Sequence, residues 1–125
     1  ANPKIIDVFN KIKPPYNISE LTQKKALERL QNIDVVKKEV QTIMEQREFL
    51  IKELKTITCI DRVFASDANF ILARVDDANL RYKQLIDNGI VVRNRTTQPL
   101  CENCLRFTIG TKTENLKLIS ILKSF

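Results

Sequence analysis

Cys104-Leu105-Arg106-Phe107-Thr108-Ile109 decides the fold, because it alternates apolar and polar residues with a period of two. Leu105, Phe107 and Ile109 fall on one side of an extended chain, and Cys104, Arg106 and Thr108 on the other. That is a strand with one buried face. Thr111-x-x-Glu114 follows at capping-box spacing, and Leu116, Ile119 and Leu122 recur at helical spacing behind it. Working backwards, Asn94 to Glu102 is a polar loop around Pro99, and Ile90-Val91-Val92 is a short apolar run that predicts a strand. Asn88-Gly89 stops a helix that Asp76 or Asp77 would cap and whose apolar residues are Leu80, Leu85 and Ile86. Asn69-Phe70-Ile71-Leu72-Ala73-Arg74-Val75 predicts a further strand.

The first half has no strand pattern. Pro3 to Ile12 predicts a helix, with Pro3 in the first turn and Ile5, Ile6, Phe9 and Ile12 at helical spacing. Pro14-Pro15 ends it. Asn17 or Ser19 caps a second helix to about Gln31, with Ala26, Leu27 and Leu30 on its apolar side. Asp34 reads as the cap of a third, longer helix reaching about Lys55. Its stripe of Val36, Val40, Ile43, Leu50 and Leu54 is interrupted by Arg47. The order is three helices and then β-α-β-β-α, an α+β chain with a small sheet and helices on one face.

Composition narrows the chemistry. With 125 residues, 43% hydrophobic and 29% charged, the chain can bury a core, and it has no apolar run of membrane-spanning length. No secretory signal is expected at Ala1 to Asp7. There is no His, which rules out a Ser-His-Asp or Cys-His system and any His-containing zinc site within the chain. Two glycines are too few for a glycine-rich phosphate loop. Any phosphate would have to be held by side chains, chiefly Arg. The net charge of +6 is spread evenly, with 12 basic and 9 acidic residues in 1–62 and 9 and 6 in 63–125. Neither a nucleic-acid surface nor a membrane partner is therefore expected. Cys59, Cys101 and Cys104 are an odd count without a secreted framework, which suggests a reducing, cytoplasmic setting. Cys101-x-x-Cys104 lacks a second ligand pair for zinc, and it leads into a strand rather than opening a redox helix.

Arg106 is the first candidate for function. Apolar neighbours fix its strand, so it is turned away from the core and rigidly mounted. Its planar fork suits a carboxylate or phosphate. Arg93 follows the preceding strand candidate, and if the two strands pair, both guanidiniums converge on one anion. The alternative is that Arg106 caps a surface or pairs with Glu102, and a surface pair is worth about 0–1 kcal/mol. Arg95 reads as a solvated loop residue, Asn69 as an edge cap, and Tyr16 as a packing residue at a turn. No acid–base pair and no lysine suited to imine chemistry is identifiable.

The chain resembles the histidinol-phosphate aminotransferases, a group within the fold type I pyridoxal-phosphate aminotransferases. Phe64-Ala65-Ser66-Asp67-Ala68-Asn69-Phe70 is similar to their P-S-x-A-N-F segment, with Ala65 where proline is frequent. Gly89-Ile90-Val91-Val92-Arg93 matches G-I-x-V-R. Cys104 to Thr111 matches C-L-R-x-T-x-G-T, followed by Glu114-Asn115. Lys13-Pro14-Pro15-Tyr16-Asn17 and Leu21-Thr22-Gln23 also fit, in register along essentially all of the chain.

The resemblance implies a piece of a longer enzyme. Residues 1–33 would trail from a large cofactor domain, and residues 34–125 would form the C-terminal small domain. The lysine that forms the imine with pyridoxal phosphate, and the residues holding the cofactor, would lie outside this chain, so none is expected to bind here. Arg106 and Arg93 would grip the substrate anion. The partners implied are the missing large domain, a second copy in a homodimer, and a small-molecule substrate. The parent reaction would move an amino group between histidinol phosphate and 2-oxoglutarate. A free-standing anion- or nucleic-acid-binding module, an aromatic aminotransferase and a threonine-phosphate decarboxylase stay open as alternatives.

Overall fold

The computed structural model describes residues 2–13, 16 and 18–125. The sequence-based stop at Pro14-Pro15 and the cap at Asn17 lie outside these residues. Five helices and four strands follow in order: α1 (Pro3–Ile12), α2 (Glu20–Gln31), α3 (Ile33–Leu54), β1 (Ile60–Val63), β2 (Phe70–Val75), α4 (Ala78–Asp87), β3 (Arg93–Asn94), β4 (Cys104–Thr108) and α5 (Lys112–Leu122). Two compact units divide the chain at 37/38, within the start of α3. No described helix is long and apolar enough to cross a membrane.

In the first unit, Asn2 caps α1 by accepting from the Lys4 N–H at 3.0 Å. Ser19 caps α2 through the Thr22 N–H. Asp34 does not cap α3 but sits in its first turn. The Asn32 carbonyl accepts from Val35 and Val36 instead, so the helix starts one residue earlier than the aspartate suggests. The apolar side chains of α1 are exposed, Phe9 at 59% and Ile12 at 69%. Tyr16 is 83% exposed, which corrects its reading as a packing residue.

The second unit is a four-stranded antiparallel sheet in the order β1-β2-β4-β3 with helices on one face. Ile71, Ala73 and Val75 of β2 and Leu105 and Phe107 of β4 point to that face. They are buried with Leu50 and Leu54 of α3, Ala78 and Leu85 of α4, and Leu118, Ile119 and Leu122 of α5. Arg47 interrupts the α3 stripe because its guanidinium donates to the Ala68 carbonyl at 3.1 Å, fixing the turn before β2.

Two strands differ from the sequence expectation. β1 was not foreseen. A register irregularity between Ile60 and Arg62 lets Ile60 and Val63, three apart, both face the core. A period-two search cannot see that spacing. β3 is Arg93–Asn94, not Ile90–Val92. The Ile90 N–H closes the end of α4 on the Leu85 carbonyl at 2.8 Å, behind Gly89 at φ +72°, so this run is a helix stop rather than a ladder. Some side chains also differ. Leu80, Ile86 and Leu116 are exposed, while Ala78 and Asn115 take core positions.

Asn115 is the one buried polar residue of the described core. Its Oδ1 accepts from the Gly110 N–H at 3.1 Å, and its Nδ2 donates to the Gly110 carbonyl and to Gln46 Oε1. The side chain thus ties the end of β4 to α5 and α3. Thr111 and Glu114 form the foreseen capping box beside it. A Cβ on Gly110 would lie 2.9 Å from Glu114 Oε2 and 3.0 Å from Glu114 Cβ, so a side chain there would push the Glu114 cap aside.

Two outcomes follow from these contacts. Asn115→Ala strands the half-buried Gly110 N–H and C=O and should lower unfolding stability by roughly 1–3 kcal/mol in denaturant titrations. An unchanged midpoint would show that water replaces the clamp. Arg81 donates to Asp76 through Nε at 2.9 Å and holds the Asp76 carboxyl below its usual range. A depressed carboxyl adds stability above its unfolded pKa, about 3.9, and loses it as pH falls through the folded value. Asp76→Asn should therefore cost stability at neutral pH and flatten the loss below about pH 4. An unaltered acid limb would contradict this.

Candidate functional site

The side of the sheet away from the helices carries the functional candidates. Leu105 and Phe107 are fully sunk in the core on either side of Arg106, which turns Arg106 to the open face. In the ladder, Arg106 lies between Leu72 of β2 and Arg93 of β3. Its guanidinium stacks over the Phe70 ring at 4.8 Å, which limits where the fork can point. Arg106 Nε is buried and has no hydrogen-bond partner. Burial and the nearby charges of Arg93 and Arg95 together push its pKa down.

The preceding strand that pairs with β4 is Arg93–Asn94 rather than the expected Ile90–Val92, and it makes Arg93 and Arg106 direct neighbours. The Glu102 alternative fails. Glu102 lies 4.0 Å from Arg74, and its carbonyl accepts from Arg74 Nε at 3.2 Å. Among the described residues no carboxylate pairs with Arg93, Arg95 or Arg106. Arg95 is half-buried rather than solvated, and its charge reaches Arg106. Its place two residues after Arg93 was the available signal, since alternation sends both to one face. Cys104 shares that face by register, opposite Arg74, but is fully buried there. Burial raises its thiol pKa, as it does for Cys59, so neither is an activated thiolate. All three cysteines are free, and no group of metal-ligating side chains occurs among the described residues. Asn69 is exposed at the start of β2, and its carbonyl accepts from the Ile109 N–H.

A separate cleft of about 550 Å³ lies between the Gly89–Val92 run and the Thr108–Gly110 turn. Lys117 and Glu114 line it, and no arginine does. Its carboxylate is already committed to Thr111. The clustered arginines Arg93, Arg95 and Arg106 lie elsewhere, on β3, just after it and on β4.

The whole of this arrangement matches a known family. Residues 1–122 fit the family model described as aminotransferase class I and II, and the chain belongs to that family. It is 61% identical over 123 residues to the histidinol-phosphate aminotransferase of Flavobacterium johnsoniae, which covers 98% of this chain and 35% of that protein. It is 46% identical over 125 residues to the enzyme of that name from Bacteroides fragilis, of which it covers 36%. The crystal structure of the histidinol-phosphate aminotransferase from Clostridium acetobutylicum superposes with a TM-score of 0.79 at 28% identity, over 98% of this chain and 38% of that one. The chain thus spans about a third of the length of these relatives.

The family implies pyridoxal phosphate, and no described lysine has the setting that its imine requires. Every described lysine is solvent-exposed, whereas an imine lysine needs an apolar setting that lowers its pKa. What the site offers is a rigid, cationic face for an anion.

The unpaired cation has a measurable cost. Arg106→Met keeps a long side chain over Phe70 while removing the buried, repelled charge. It should raise the thermal midpoint of the chain by roughly 2–4 °C. A lowered midpoint would mean that Arg106 is a structural prop.

Proposed function

We propose that this chain is the anion-gripping small domain of a pyridoxal-phosphate-dependent histidinol-phosphate aminotransferase. The longer protein interconverts histidinol phosphate and 2-oxoglutarate with imidazole acetol phosphate and glutamate. One observation carries the reading. Arg106 stands on the open face of β4 with its Nε unpaired, beside Arg93 and, among the described residues, with no carboxylate paired to either. The names of the relatives support the substrate.

The amino-transfer chemistry belongs to the cofactor, held by the rest of the protein. Residues 1–33 trail from that large domain, and residues 34–125 form the small one. Arg106 supplies a planar fork for the substrate anion, and Arg93 adds a second cation. Histidinol phosphate has no α-carboxylate, so its phosphate ester takes the place that the glutamate carboxylate takes in the other half-reaction. One fork serves both because both anions present coplanar oxygen pairs. The stack on Phe70 keeps that fork from folding onto solvent. The exposed apolar side of α1 suits cover by the large domain. The full-length protein acts as a homodimer in the cytoplasm.

The test is steady-state kinetics of the full-length protein with histidinol phosphate against phenylalanine. Histidinol phosphate should be the better substrate. Arg106→Ala should lower kcat/KM on the order of 100-fold, as expected for a lost charge-assisted contact of about 3 kcal/mol. Equal or faster turnover of phenylalanine would overturn the substrate assignment.

A further inference from the structure

The arginine that the sequence pattern gives to a solvated loop has a place in the site. Asn94 donates through its side chain to Asn79 Oδ1 of α4 at 2.8 Å, so it points to the helical side. Alternation then sends Arg93 and Arg95 to the open side, where Arg106 stands. The Arg95 N–H donates to the Cys104 carbonyl at 2.8 Å, which continues the β3–β4 ladder one step past Asn94 and fixes the Arg95 backbone. Arg95 is half-buried, and among the described residues no carboxylate pairs with it. Arg93 directly opposite and Arg95 on the diagonal thus flank Arg106 with like charge.

Three clustered cations without a counter-charge destabilise the free protein, and they do so for one purpose that fits their number. A carboxylate carries one charge and is matched by a single fork. A phosphate monoester carries about −1.5 to −2 at neutral pH and three terminal oxygens. Two cations neutralise it, and a third sets the potential that favours the dianion over a monoanion. We propose that Arg95 is a specificity-determining residue that makes this site prefer a doubly charged phosphate ester to a carboxylate. This rests on the anion-gripping role given above to Arg106, and it adds a residue that the matching motifs do not contain.

The experiment uses the full-length protein with Arg95→Gln, and with Arg95→Lys as the charge-preserving control. Inorganic phosphate and acetate serve as probe ions, and thermal stabilisation reads their binding at two ionic strengths. The wild type should bind phosphate more tightly than acetate. Arg95→Gln should weaken phosphate roughly 5–10-fold and acetate less than about 2-fold, with a shallower salt dependence. Arg95→Lys should stay within about 2–3-fold of wild type. The same ratio should appear as KM changes for histidinol phosphate against glutamate. Equal losses for both ions, no loss for phosphate, or no phosphate preference in the wild type would each overturn the role of Arg95. Phosphate selectivity that depends on Arg95 in a protein that does not turn over histidinol phosphate would sustain this inference and defeat only the substrate assignment.

Discussion

Leu105 and Phe107 hold β4 to the core from either side of Arg106, and the rest of the site depends on that anchoring. Burying two side chains of this size contributes about 1.5–3 kcal/mol each. Leaving one buried polar atom without a partner costs about 1–3 kcal/mol. The apolar pair therefore outweighs the strain of an unsatisfied guanidinium, and the strand cannot turn Arg106 elsewhere without turning both neighbours out. The Asn115 clamp on Gly110 fixes the end of the same strand to α5 and α3, so the anchor is set from two directions.

The arginines of the second unit divide by how they are satisfied. Arg81 pairs with Asp76, Arg74 lies against Glu102, Arg47 donates to a carbonyl, and Arg62 rests over Phe64. These do structural jobs along the sheet and its turns. Among the described residues Arg93, Arg95 and Arg106 have no acidic partners, and they gather at the β3–β4 end. Like charges within one ladder repel, and folding tolerates this because the surrounding core is already secure. Under the proposed function, an arrangement that costs stability in the free protein and suits an incoming anion is what a binding site for a charged substrate requires.

Much of this was legible in the residues, for stated reasons. β4 and the α5 cap announce themselves because period-two alternation and the Thr111-x-x-Glu114 spacing are local patterns. Arg106 was found through that alternation alone. β1 was not, because a bulge places Ile60 and Val63 three apart and charged Asp61 and Arg62 fill the gap. The strand expected at Ile90–Val92 fell instead at Arg93–Asn94, because a helix stop consumes the Ile90 N–H. Arg95 was misread for the same reason: once β3 moves by three residues, its face becomes defined. Asn115 gave no signal of burial, since its role depends on Gln46, far away in sequence. The strand pattern already set Arg93 beside Arg106 on condition that their strands pair, the resemblance implied a shared grip on the substrate anion, and the ladder supplies their adjacency.

The most direct measurement is a crystal structure of the full-length protein with a phosphate-bearing amino substrate. The account predicts a phosphate oxygen within hydrogen-bond distance of Arg106 Nε, with Arg93 completing the grip. Phosphate density elsewhere, for instance in the cleft beside Gly110 and Lys117, with Arg106 Nε still unpaired, would contradict it.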